Sequence, residues 1–120
     1  MSDPTAPAPS TTDLSLWDSV DDLWTWLDTN RPIAGQEGLL LRILKLSEEV
    51  GEVAEAVIGA TGQNPRKGVT HSWDDVQAEL CDVVITALVA LRTLTPEARA
   101  VFGHHLERVR ERSLGAGGAS

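Results

Sequence analysis

Between Leu16 and Leu27, apolar side chains recur at Leu16, Val20, Leu23, Trp24 and Leu27, the spacing of one helix face. Pro32 closes that run, because the residue before a proline disfavours helix. A second and longer run, Leu39 to Ile58, carries a stripe of Leu39, Ile43, Leu46, Val50, Val53 and Val57, and Gly59 and Gly62 are expected to stop it. A third helix is predicted to open at Ser72, capped with Asp75 three residues on, and to continue to about Arg92. A fourth begins with Thr95 as cap and Pro96 in the first turn and runs to about Ser113. No segment alternates like a strand, so the predicted class is all-α, a four-helix protomer.

The ends read differently. Residues 1–13 hold Pro, Ser, Thr and Ala with almost nothing apolar, which predicts a disordered tail. Residues 115–120 predict a second flexible tail, leaving one domain over 14–114.

Polar residues inside these apolar helices carry the chemical signal. On the second helix Glu48, Glu52 and Glu55 cluster opposite the apolar stripe, with Glu49 on the flank. The earlier turns of that side hold Leu41 and Leu44, with Arg42 and Lys45 as interruptions, so the acids continue a partly buried face. On the third helix Thr86 is the only polar side chain from Val83 to Leu91. Glu79 and Asp82, at its entrance, are three residues apart and point the same way. A solvated acidic face is the bland explanation for Glu48, Glu49 and Glu52 alone; the second acidic pair on so apolar a helix favours a shared site. Several carboxylates buried together need a compensating positive charge. Lys45 supplies one, and a hard divalent cation, Mg²⁺ or Mn²⁺, supplies the rest.

Composition narrows the partners. The 120 residues carry eighteen Asp and Glu against ten Lys and Arg, a net charge of −8. Such a chain is ill suited to gripping a nucleic-acid polymer. The single cysteine, Cys81, allows no internal disulfide and is expected as a core thiol on the side of its helix away from Glu79. No apolar run reaches the length of a membrane span, and no signal-peptide layout opens the chain, so a cytoplasmic protein is expected. Helices this apolar exceed what one small protomer covers, which predicts self-association.

With these residues in place, KLSEEVGEVAEAV (Lys45 to Val57) and ELCDVVITAL (Glu79 to Leu88) together resemble the EExxE…ExxD signature of MazG-like nucleoside triphosphate pyrophosphohydrolases. That all-α group includes dimeric dUTPases, dCTP pyrophosphatases and phosphoribosyl-ATP pyrophosphatase. The resemblance implies Mg²⁺-dependent cleavage of a (deoxy)nucleoside triphosphate to monophosphate and pyrophosphate, in the service of nucleotide-pool sanitation. It also implies a homodimer or homotetramer, and catalytic acids at Glu48, Glu49, Glu52, Glu79 and Asp82. Glu49, Glu52, Glu79 and Asp82 are the implied direct metal ligands, with Glu48 orienting or deprotonating the attacking water or else lying just behind the direct ligands. Phosphoribosyl-ATP hydrolysis and a catalytically weak regulatory module are the alternatives.

Substrate contacts are less sharply marked. Family members often end in a basic pattern like KxxxNRxRY, of which His105 to Ser113 keeps only Arg110 and Arg112. These two are candidate phosphate binders, or else ion-pair partners of Glu107 and Glu111 on a solvated helix. His104 and His105 are expected at the surface. In the long loop Gly59 to His71, Arg66 and Lys67 are candidate phosphate grips, and Lys45 is a candidate beside the acids. Four tryptophans, Trp17, Trp24, Trp26 and Trp73, suit stacking on a base. Trp24 and Trp26 project to different sides of the first helix, so one is expected to pack inward and the other to serve a pocket or subunit contact; Trp24 is the candidate base contact.

Overall fold

The computed structural model describes residues 11–115, and its described residues are almost wholly helical. Four α-helices follow one another: α1 Thr11–Asn30, α2 Gly35–Thr61, α3 Trp73–Leu94 and α4 Ala98–Arg110. A short π-helical turn, Glu111–Gly115, continues α4. The all-α class and the number of helices agree with the sequence. Most of the two expected tails lies outside the described residues. Thr11, Thr12 and Asp13 do not, and they are helical. Short polar residues with an acid suit a first turn, where the helix dipole favours negative charge.

Three boundaries differ from expectation for local reasons. Gly59 does not end α2; it is a buried position inside the helix, and the stop falls at Gly62, which adopts φ 65° and donates its N–H to the Ile58 carbonyl. Thr95 does not cap α4. It closes α3 through its N–H to Leu91 O, and its hydroxyl accepts from Glu97 N at 3.0 Å. Pro96 therefore lies before α4. At α3 the expectation holds: Ser72 Oγ accepts from Asp75 N at 3.2 Å, and Asp75 Oδ2 accepts from Ser72 N at 2.9 Å.

Helix α3 is the hub, with α2, α1 and the start of α4 all packed on it. Val20, Leu88 and Val89 form the buried core, flanked by Trp17, Trp24 and Leu27. Trp17 also meets Phe102 of α4, ring centroids 6.0 Å apart. Arg92 lies over the Trp24 ring at 4.1 Å and pairs with Asp21 at 2.8 Å, tying α3 to α1.

Helices α2 and α3 run antiparallel, as three levels of contact show. Arg42 Nη1 donates to Thr93 Oγ1 at 2.8 Å, Glu49 meets Asp82, and Gly59 lies under His71. The positions of α2 that turn inward are therefore Gly38, Glu49, Ala56 and Gly59, with Arg42 half-buried on the same row. This row is displaced by one residue from the apolar stripe. Of that stripe Val50 is 54% exposed and Ile43 is exposed, while Leu39, Leu46, Val53 and Val57 are half-buried. Cys81 is exposed rather than a core thiol.

Candidate metal centre

The antiparallel register of α2 and α3 brings acids from both helices to one level. Glu49, Glu79 and Asp82 each place a carboxylate oxygen within 4.8 Å of the others, a spacing at which the three could hold a metal ion. Glu49 is buried and Glu79 half-buried, while Asp82 is exposed. The group therefore opens toward solvent on the Asp82 side. Helical spacing accounts for the convergence: Glu79 and Asp82 share a face of α3, and Glu49 lies on the inward row of α2.

Glu52, one turn further along α2, is half-buried beside this trio. Its carboxyl is held above the usual carboxylate range, first by the negative charge of Glu49, then by burial, and then by the charge and hydrogen bond of Glu79. Like charges crowded at this level cannot all ionise at ordinary cost. Glu79 Oε2 is buried without a hydrogen-bond partner. An acceptor in that state is costly unless a donor or a cation meets it. All donors in the group are carboxylate oxygens, the set that Mg²⁺ and Mn²⁺ prefer. The residues fit a hard divalent cation.

Lys45 supplies the nearest fixed positive charge. Its Nζ stands 3.4 Å from Glu49 Oε1 and 3.6 Å from Glu48 Oε2. Glu48 in turn keeps the ammonium charged beyond its ordinary range, with help from Glu49. Glu48 itself is turned outward, its side chain 65% exposed. Of the five acids singled out in the sequence, three thus meet, Glu52 adjoins them, and Glu48 stands at the rim.

The candidate substrate residues are scattered. Trp24 packs on the core under Arg92, whereas Trp26 is 62% exposed. This settles which of the two turns inward. Lys67 lines a cavity of about 230 Å³ with Glu55, Asn64 and His71, where the loop folds back on the end of α2. Arg66 is exposed beside it; its backbone N–H donates to Asn64 Oδ1 at 3.1 Å. Arg110 and Arg112 are exposed near the end of the chain, and neither they nor Glu107 and Glu111 form an ion pair among the described residues. His104 and His105 are exposed as expected.

Two residues gain importance that the sequence did not give them. Arg42 was visible only as an interruption in an apolar run, and its buried, unpartnered Nη2 depends on tertiary packing. His71 had no distinguishing neighbour, yet its ring seats on Gly59 and its Nδ1 lies 2.9 Å from Thr70 Oγ1.

No protein-family model, curated protein or solved structure matches the chain. No helix among the described residues is long and apolar enough to cross a membrane.

Proposed function

We propose that this chain is a Mg²⁺-dependent nucleotide pyrophosphohydrolase of the MazG-like type, cleaving (deoxy)nucleoside triphosphates to monophosphate and pyrophosphate. The observation that carries this reading is the meeting of Glu49, Glu79 and Asp82 within 4.8 Å, on two helices, around a buried and unpartnered Glu79 oxygen. Glu49, Glu79 and Asp82 would hold the cation, with Glu52 beside them. The chemistry a bound Mg²⁺ supplies there is neutralisation of charge on the phosphoryl oxygens.

The remaining roles belong to the chain's own groups. Glu48, exposed at the rim, would accept a proton from an attacking water. Lys45, already paired with Glu48 and Glu49, orients both carboxylates and leaves a cation facing the substrate side. Glu52, whose carboxyl is raised above its ordinary range beside Glu49 and Glu79, could hold a proton next to the cation ligands. No covalent nucleophile is required.

Self-association belongs to the same reading. Leu40, Leu41, Leu44 and Val50 of α2 and Leu80 and Val84 of α3 are all exposed in the isolated chain. A homodimer or homotetramer would cover them, and exposed apolar area of this kind is a mark of association surfaces.

The test is pyrophosphate release from a panel of ribo- and deoxynucleoside triphosphates with and without Mg²⁺. Turnover of at least one of them, lowered roughly a hundredfold or more by Glu79→Gln, is expected. Absence of turnover with every triphosphate would defeat the proposal.

A further inference from the structure

Lys45 joins the acidic centre in a way that helix stability does not explain. Its ammonium stands 3.6 Å from Glu48, three residues on, and 3.4 Å from Glu49, four residues on. A lysine placed before its glutamates is the weaker order for such pairs, because both charges then oppose the helix dipole. Each distance also exceeds the usual span of an N–H···O hydrogen bond. Charge holds the ammonium there, and its donors are not fully spent. The Lys45 side chain is 54% exposed and that of Glu49 is 11% exposed, so a cation open to solvent is anchored on a buried carboxylate. No other basic side chain among the described residues is in ion-pair range of Glu48, Glu49, Glu52, Glu79 or Asp82.

Glu49 is the carboxylate that Lys45 shares with Glu79 and Asp82. A cation held by Glu49 and an ammonium paired to the same carboxylate lie less than a Debye length apart. Their repulsion therefore survives ordinary salt, and Lys45 weakens the hold of the acids on a divalent cation that comes alone. A phosphate anion that comes with the cation reverses the sign. The ammonium, a point charge on a flexible four-carbon stem, can turn toward the phosphate oxygens and still face Glu49. Repulsion between two cations then becomes attraction of both to one anion.

We propose that Lys45 couples the two ligands of this centre, disfavouring a bare divalent cation and favouring one accompanied by a phosphate anion. This rests on the metal reading of Glu49, Glu79 and Asp82 and adds the regulation of that site. Coupling of this kind is reciprocal: whatever factor the anion adds to the affinity for the cation, the cation adds to the affinity for the anion. The centre is then filled chiefly by the metal complex of a phosphate compound rather than by free metal. A lysine that merely braced Glu49 would instead help both ligands, each with or without the other.

The coupling and bracing roles differ in sign once the charge is removed. Titration calorimetry measures binding of Mg²⁺ alone, and then of pyrophosphate at saturating Mg²⁺, by the wild type, Lys45→Met and Lys45→Arg. Lys45→Met is expected to bind Mg²⁺ alone roughly tenfold more tightly, the scale of one ammonium repelling a divalent ion at short range in a water-like dielectric. The same variant is expected to bind pyrophosphate roughly tenfold to a hundredfold more weakly, the loss of a charge-assisted hydrogen bond. Lys45→Arg keeps the charge and stays near the wild type in both measurements. Lys45→Gln repeats the test if Lys45→Met fails to fold. Weaker binding of Mg²⁺ alone by the neutral variants, or pyrophosphate binding that they leave unchanged, overturns the proposal and leaves the metal reading standing. No binding of Mg²⁺ by any of these proteins, in heat or in raised Tm, overturns both.

Discussion

Gly59, buried in the last turns of α2, lies directly beneath the imidazole of His71, leaving no room for a methyl group between them. A Cβ there would also stand 2.5 Å from Thr70 Oγ1. The Thr70 N–H donates to Gly59 O at 3.0 Å, so backbone and side chain both press the loop onto the helix. Gly59→Ala gains helix propensity of about 1 kcal/mol but forces this packing apart, which costs about 1–3 kcal/mol. Net destabilisation is expected, by up to about 2 kcal/mol, read as a lowered Tm. An unchanged or raised Tm would show that the loop does not seat as described.

Glu52 makes a pH prediction. Its folded pKa is raised, so the native state binds more protons than the unfolded chain over the interval above the ordinary glutamate value of 4.5. Its contribution is therefore most favourable at low pH and is lost as pH rises through the folded pKa. In metal-free buffer Glu52→Gln should flatten this pH dependence and raise stability at neutral pH. Addition of Mg²⁺ should stabilise the wild type by mass action and the variant much less. Equal Mg²⁺ responses in thermal melts of the two proteins would contradict the assignment.

Asp75 behaves in the opposite sense. Its carboxylate accepts the Ser72 N–H, and this bond holds its pKa below the usual range. The stabilisation is fully present above the ordinary aspartate value and is lost as pH falls through the lowered pKa. Ser72→Ala removes the reciprocal bond and is expected to cost about 1 kcal/mol. Asp75→Asn should weaken the acid-side loss of α3 helicity followed by circular dichroism; an unaltered acid limb would argue against the capping box.

Arg92 fastens two helices with one guanidinium, through Asp21 and the face of Trp24. Arg92→Gln should cost about 1 kcal/mol, the scale of a partly exposed cation–π contact. Trp24 sits against the core while Trp26 is open to solvent, so the substitution should change the quenching of the more protected tryptophan component. Equal quenching of all tryptophan emission before and after the change would be inconsistent with this packing.

The exposed leucines and valines of α2 and α3 predict association. Sedimentation at micromolar concentration should give a species larger than one chain, and Leu44→Glu should shift it toward the monomer while α2 remains helical. A monomeric wild type would remove this part of the reading.

Sequence periodicity identified all four helices, and the spacing of Glu79 and Asp82 made their shared face legible. The capping box at Ser72 was equally plain, because its chemistry is local. What escaped was rotation. The apolar stripe from Leu39 to Val57 looked like the inward face of α2, yet the row that meets α3 contains Arg42, Glu49, Ala56 and Gly59. Hydrophobicity ranks faces by cost of exposure in one isolated chain, and it misleads where two apolar faces compete. For the same reason Cys81 was expected in the core. The fate of Gly59 was hidden too: a glycine late in a helix reads as a stop until a ring from elsewhere is seen to need its missing side chain.

The polar seam between α2 and α3 makes the candidate centre a matter of phase. Arg42, Lys45, Glu49 and Glu52 share one row because they are spaced three, four and three residues apart, with Gly59, seven residues further on, locking the series at His71. One residue inserted between Glu52 and Gly59 would turn everything before it by about 100°, carrying the acids off α3 and bringing other side chains round to it. Seven inserted residues would restore the angle but slide the acids about 10 Å past Glu79 and Asp82. Length changes in that stretch are therefore excluded in a way that length changes in the Gln63–Val69 loop are not.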